Sequence, residues 1–149
     1  MDLRPYTAAD RDGCLAVFDS NTPDFFAPSE RADYEKFLDS QDGSYFVMEN
    51  EGRLLGCGGY ALDNQTQGSL IWGMIHRDWH RNGLGRYLLY YRMKKMTDSG
   101  TLQVVRLDTS QRTAPFFEKQ GFRAMDVVKD GYAPGLDKVE MLKKVAVCP

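Results

Sequence analysis

Three observations predict a mixed α/β domain. Strand-like stretches alternate with amphipathic helical stretches in the order β-α-α-β-β-β-α-β-α-β-β. The chain has 149 residues, 42% of them hydrophobic, enough for one compact core. No repeat, low-complexity tract or linker divides it, so residues 1–149 are expected to form a single domain.

Leu3-Arg4-Pro5-Tyr6 reads as a first strand, placed at an edge because Pro5 has no N–H to give a ladder. Thr7 before Ala8-Ala9-Asp10 is an N-cap signal for a helix reaching about Asn21, with Cys14, Leu15, Val17 and Phe18 at helical spacing. A Pro-bounded loop follows and carries Phe25 and Phe26; Ser29-Glu30-Arg31-Ala32 then opens a second helix to Ser40. From Ser44 the period changes: Tyr45–Met48 is a strand, Asn50-Glu51-Gly52 a hairpin turn, and Leu54–Leu62 the return strand. Its Gly56, Gly58 and Gly59 signal a bulge or a close backbone approach.

Ser69–Ile75 is almost wholly apolar, as a strand covered on both faces should be. The helix after Gly83 has Leu84, Tyr87, Leu88 and Tyr91 on its expected inner face, with Arg86, Lys94 and Lys95 toward solvent. Leu102–Asp108 is a strand, Ala114–Gln120 a short helix stopped by Gly121, and Phe122–Val128 a strand. Gly131-Tyr132-Ala133-Pro134-Gly135 is expected to be a loop, and Lys138–Val145 the last strand.

Composition narrows the partners. With 19 basic and 21 acidic residues interspersed and a net charge of −2, no basic footprint for nucleic acid is present. The start of the chain lacks the apolar core of a signal peptide, and no apolar run approaches the roughly 18 residues of a membrane span. A cytoplasmic protein acting away from membranes is expected. Cys14, Cys57 and Cys148 have no metal-ligand or disulfide spacing, and His76 and His80 lack the acidic residues of a paired-histidine site, so no metal is expected.

The stretch that carries chemistry is Ile75-His76-Arg77-Asp78-Trp79-His80-Arg81-Asn82-Gly83-Leu84-Gly85-Arg86. A buried strand enters a glycine-containing turn that becomes the first turn of a helix, where free N–H groups and the helix dipole favour an anion. Glycine lets the backbone come close, and Arg81 and Arg86 add full charges, so a phosphate or pyrophosphate is expected here. A P-loop would need GxxxxGK then Ser or Thr, and a dinucleotide fingerprint a third glycine where Leu88 stands; neither is present.

His80-Arg81-Asn82-Gly83-Leu84-Gly85 after a buried strand resembles the coenzyme motif R/Q-x-x-G-x-G/A of the GCN5-related N-acetyltransferase (GNAT) superfamily. Thr113-Ala114-Pro115-Phe116-Phe117-Glu118-Lys119-Gln120-Gly121-Phe122 resembles that family's second segment, and the element order agrees over essentially the whole chain. The resemblance implies a mostly antiparallel central sheet of about seven strands with helices on both faces. It also implies an acetyl-CoA-dependent N-acetyltransferase. Arg81, Asn82, Gly83, Leu84, Gly85 and Arg86 would bind the pyrophosphate, Met74, Ile75 and His76 would pair with the pantetheine arm, and Phe117 would pack beside the thioester. Homodimers are common among similar proteins, so a homodimer is a further expectation.

Three positions depart from the pattern: His80 for Arg or Gln, Gln111 for Asn, and Phe117 for a tyrosine that often protonates the departing thiolate. Phenylalanine has no proton to give. His76 and Asp108 are the candidate bases, Ser110 and Tyr132 the candidate proton donors, and Phe25, Phe26, Tyr60 and Asp137 the candidate acceptor contacts. A small-molecule amine or amino acid is the expected acceptor. A protein amino terminus or lysine, and a catalytically weak acyl-CoA-binding module, are the alternatives.

Overall fold

The computed structural model describes residues 2–41, 43–98 and 100–145. In chain order its elements are β1 (Asp2–Pro5), α1 (Arg11–Ser20), α2 (Arg31–Ser40), β2 (Tyr45–Asn50), β3 (Arg53–Leu62), β4 (Gln67–Ile75), α3 (Leu84–Thr97), β5 (Val104–Thr109), α4 (Ala114–Lys119), β6 (Arg123–Ala133) and β7 (Leu136–Lys144). Short 3₁₀ turns at Ala8–Asp10, Pro28–Glu30 and Arg77–Trp79 lead into α1, α2 and the loop before α3. The strands form one seven-stranded sheet in the order β1-β2-β3-β4-β5-β7-β6, antiparallel except for β4 beside β5.

Strand alternation sends successive side chains to opposite faces, and each face has its own core. On one, α1 and α2 bring Cys14, Val17, Phe18, Tyr34 and Leu38 against Tyr45, Val47, Cys57 and Met74. On the other, α3 and α4 bring Leu88, Leu89, Met96 and Ala114 against Met48, Leu70, Val105, Leu107 and Met141. No helix among the described residues is long and apolar enough to cross a membrane.

Two irregularities of the sheet shape its centre. Gly59 pairs with Ile71 but Cys57 pairs with Met74, so β4 carries one extra residue opposite Gly58. This bulge puts Trp72 at a φ of 45°, in the left-handed region, and the Tyr45 hydroxyl donates to its carbonyl at 2.7 Å. Beyond it, β4 and β5 pair only from Gln67–Ser69 to Val104–Arg106 and then separate.

The structure corrects two sequence expectations here. The inner face of α3 is Leu88, Leu89, Arg92 and Met96, while Tyr87 is 48% exposed. Arg92 takes a core position because Gly58 and Gly73 leave its guanidinium room; a Cβ on Gly73 would stand 2.8 Å from it. The Gly131–Gly135 stretch is mostly strand, and β6 and β7 meet at a two-residue turn, Pro134-Gly135. Asp130 and Asp137 make this possible, their carboxylates receiving N–H groups that a bulged ladder leaves unpaired.

Candidate active site

A cleft of about 860 Å³ opens where β4 and β5 part. One half lies against the turn into α3 and is lined by Met74, Ile75, Trp79, His80, Arg81, Gly83, Gly85 and Arg86. The other is walled by Phe26, Glu30, Trp72, Asp108, Ser110 and Tyr132. Phe116 and Phe117 also line the cleft, as does Phe25, whose ring stands edge-on to His80 at 5.1 Å.

The α3 corner has the geometry of an anion site. Arg81 and Gly83 adopt φ values of 65° and 77°, turning the chain so that α3 starts with its N–H groups outward. Tyr87 makes the first helical bond, to Gly83 O, and the N–H groups of Leu84, Gly85 and Arg86 have no partner among the described residues. Nothing lies within 4 Å of where a Gly83 Cβ would be, and at Gly85 the nearest atom is the Phe116 ring at 3.5 Å. Arg81 and Arg86 are exposed and form no ion pair among the described residues. The buried Trp79 indole N–H, also on this half, has no partner either. Free donors, open space and unpaired cations together fit a diphosphate.

The end of β4 turns one peptide into the gap. His76 N–H donates to Leu55 O at 2.8 Å, so the polar groups of His76, and by alternation those of Met74, face β3. Ile75 alone of these three faces the gap. Its carbonyl is already held by Asn21 Nδ2 at 2.9 Å and His80 Nε2 at 2.8 Å. That leaves the Ile75 N–H free for an incoming arm.

Several predicted residues lie elsewhere. The His76 side chain borders a separate depression with Arg4, Asp10, Glu49 and Arg53, and its Nδ1 accepts the Asp78 N–H at 3.2 Å. Tyr60 projects to the α3 face and stacks on Phe46 at 6.1 Å, because strand alternation at that position points away from α1 and α2. Asp137 is committed to the Asp130 N–H at 2.9 Å. Asn82 and Leu84 do not line the cleft with their side chains.

Asp108, Ser110, Tyr132, Phe25, Phe26 and Phe117 do share it. Burial holds the Tyr132 phenol well above its usual pKa, and the charges of Glu30 and Asp108 add to this, so these groups lie close together. The Tyr132 hydroxyl has no hydrogen-bond partner among the described residues. Ser110 Oγ accepts the Arg112 N–H at 3.3 Å, which leaves its proton free to donate. Phe117 packs edge-on to Phe116 and Phe122 at 5.1 and 5.7 Å.

Sequence reading missed Asn21, Glu30, Trp72 and Arg92. Asn21 and Glu30 look like ordinary helix-end residues in sequence, and Trp72 like a core residue of a central strand. Only the opposed glycines, Gly58 and Gly73, hinted at a large side chain beneath the sheet.

Residues 14–122 match the family model described as Acetyltransferase (GNAT) family. The chain belongs to the GNAT acetyltransferase family. It is therefore of the acyltransferase enzyme class, and its sheet and helices are those of the GNAT fold. A comparison with curated protein sequences gave no match.

Solved structures share this GNAT architecture. A Desulfovibrio desulfuricans protein assigned to the GNAT family superposes with a TM-score of 0.79 at 24% identity, covering 97% of this chain and 99% of its own. The ribosomal-protein-S18-alanine N-acetyltransferase of Escherichia coli gives 0.79 at 15% identity, over 99% and 96%. An aminoglycoside 6'-N-acetyltransferase complexed with coenzyme A gives 0.77 at 14% identity, over 100% and 99%. At these identities the likeness is one of fold.

Proposed function

We propose that this GNAT protein transfers the acetyl group of acetyl-CoA to a primary amine of a small molecule, by direct attack with both substrates bound. The observation that carries this is the gap beside Ile75, which opens directly from an anion-binding helix start into a walled cleft. The N–H groups of Leu84, Gly85 and Arg86, with Arg81 and Arg86, would hold the diphosphate. The Ile75 N–H would orient the pantetheine arm, and the thioester would lie against Phe117. The coenzyme supplies an activated acyl group when bound.

The chain's own residues supply position and proton handling. Holding two reactants in attack geometry is worth about 7–11 kcal/mol, more than the roughly 10²–10⁴-fold of a single acid or base. The amine nitrogen attacks the thioester carbon, a C–N bond forms, the C–S bond breaks, and one N–H proton leaves. Asp108, at the end of β5 and partly exposed, accepts that proton directly or through water.

The departing sulfur receives hydrogen bonds rather than a proton from Tyr132 or Ser110. A phenol held above its usual pKa is a weaker acid than a thiol near about 8.5, so full transfer to the thiolate would run uphill. The thiolate then takes its proton from water.

Free-thiol release from acetyl-CoA by the purified protein, with an amine panel and product mass measured, tests the proposal. Amine-dependent thiol release with acetylated product supports it. Binding of acetyl-CoA without turnover of any amine would leave an acyl-CoA-binding module instead.

A further inference from the structure

Building on that transferase reading, we infer that the acceptor is a flat or apolar primary amine carrying no carboxylate beside its amino group. The wall facing the thioester position is built of hydrogen-bond acceptors and aromatic rings.

Asn21 is the clearest sign. It is 2% exposed yet lines the cleft, and its amide nitrogen lies 2.9 Å from both Val17 O and Ile75 O. Both partners are carbonyls, so chemistry fixes which end is NH₂, and both its protons are committed. Oδ1 is left without a partner among the described residues and, unlike the Trp79 indole nitrogen, is not sealed from the cleft, so it stands open as an acceptor for a donor-bearing ligand.

Glu30 repeats the pattern. Its Oε2 takes the Ala27 N–H at 2.8 Å, while Oε1 has no donor among the described residues. Burial of this carboxyl disfavours its charge, and an arriving ammonium would supply the missing counter-charge and donors. Asp108 is only loosely paired, with Arg106 at 3.7 Å and Lys138 at 3.8 Å.

Of the cleft's arginines only Arg112 neighbours the acceptor wall, and it is exposed at the rim. Arg81 and Arg86 belong to the α3 corner, Arg112 to the loop entering α4, and the Arg92 guanidinium lies beneath Gly58 and Gly73. An α-carboxylate on the acceptor would face Glu30 and Asp108, and the cations nearest Asp108, Arg106 and Lys138, are already engaged with it, Arg106 also with Glu140. Phe26 stacked on Trp72 at 6.4 Å offers rings to an aromatic or alkyl body and to its cationic end, whereas the Phe25 ring is taken up by His80 at 5.1 Å and by the Arg77 guanidinium at 5.5 Å.

The test is kcat/KM with acetyl-CoA for two matched pairs, tyramine against tyrosine and phenethylamine against phenylalanine, alongside calorimetric binding of acetyl-CoA. Each amine should exceed its parent amino acid by about tenfold or more, the scale of one like-charge juxtaposition. Glu30→Gln, whose amide oxygen still accepts the Ala27 N–H, should narrow that ratio without changing acetyl-CoA affinity.

Amino acids used as well as their amines, an unchanged ratio in E30Q, or peptides preferred over every small amine would each overturn the inference. Normal acetyl-CoA binding with no amine turned over would bring down the transferase reading, and the inference with it, leaving an acyl-CoA-binding module. Loss of acetyl-CoA binding in the wild-type protein would bring down both that reading and the coenzyme site.

Discussion

Gln111 clasps the backbone around Asp137: its Oε1 accepts the Asp137 N–H at 2.8 Å while its Nε2 donates to Gly135 O, also at 2.8 Å. The β5–α4 loop thereby fixes the tip of the β6–β7 hairpin, from which Tyr132 enters the cleft. The two bonds contribute about 1 kcal/mol each. Gln111→Ala should lower kcat/KM for the amine roughly tenfold or more while leaving the acetyl-CoA dissociation constant unchanged. Steady-state kinetics beside calorimetry would check the split.

The α3 corner should respond in the opposite way. Gly83 has a φ of 77°, and an L-residue held there costs about 1–2 kcal/mol. Gly83→Ala should therefore weaken acetyl-CoA binding and lower stability together. Arg81→Ala and Arg86→Ala should each weaken acetyl-CoA about three- to tenfold, less so at high salt, because both charges are exposed. Calorimetric titrations at two ionic strengths decide this.

Much of the architecture could be read from the chain because its signals are local. The strand–glycine–helix sequence from Ile75 to Leu89 and the strand and helix order needed no knowledge of distant contacts. Whatever depended on a tertiary partner was hidden. The face of α3 turned so that Arg92 is buried, since Gly58 and Gly73 on two other elements make its space. Strand alternation after the bulge decided that Tyr60 points away from the cleft and that His76 pairs with β3. Asp130 and Asp137 converted a predicted loop into strand through their side chains, which no hydropathy pattern records. Asn21 and Glu30 gained their place in the cleft only when the α1–α2 loop folded over β4.

The buried Arg92 gives a stability test. Burial lowers its pKa to about 10, against the opposing effect of Tyr45 and Cys57, and no carboxylate pairs with it among the described residues. Gly73→Ala would place a Cβ 2.8 and 2.9 Å from its two terminal nitrogens, an overpacking worth about 1–3 kcal/mol. Combining it with Arg92→Met should recover part of that loss, so the two changes are non-additive. Thermal or denaturant unfolding of the two single mutants and the double mutant would measure the coupling.

Far from the cleft, Asp10 ties β1 to α1. Both its oxygens accept from Arg4 at 2.8 Å, and this pairing lowers its pKa, with burial opposing. A depressed carboxyl contributes stability that is present above its unfolded pKa, near about 3.9, and is lost as pH falls through the folded value. Asp10→Asn should cost about 1–2 kcal/mol at pH 7, between an exposed and a fully buried pair. The gap from wild type should shrink as the pH is lowered through about 4 toward 2, read from unfolding midpoints across that range.

A crystal structure of the protein with acetyl-CoA is the most direct measurement of all. The account predicts diphosphate oxygens within hydrogen-bond distance of the Leu84, Gly85 and Arg86 N–H groups, pantetheine bonded to the Ile75 N–H, and the acetyl group facing Tyr132 and Glu30. Coenzyme bound elsewhere, with the start of α3 bare or filled by side chains, would contradict it.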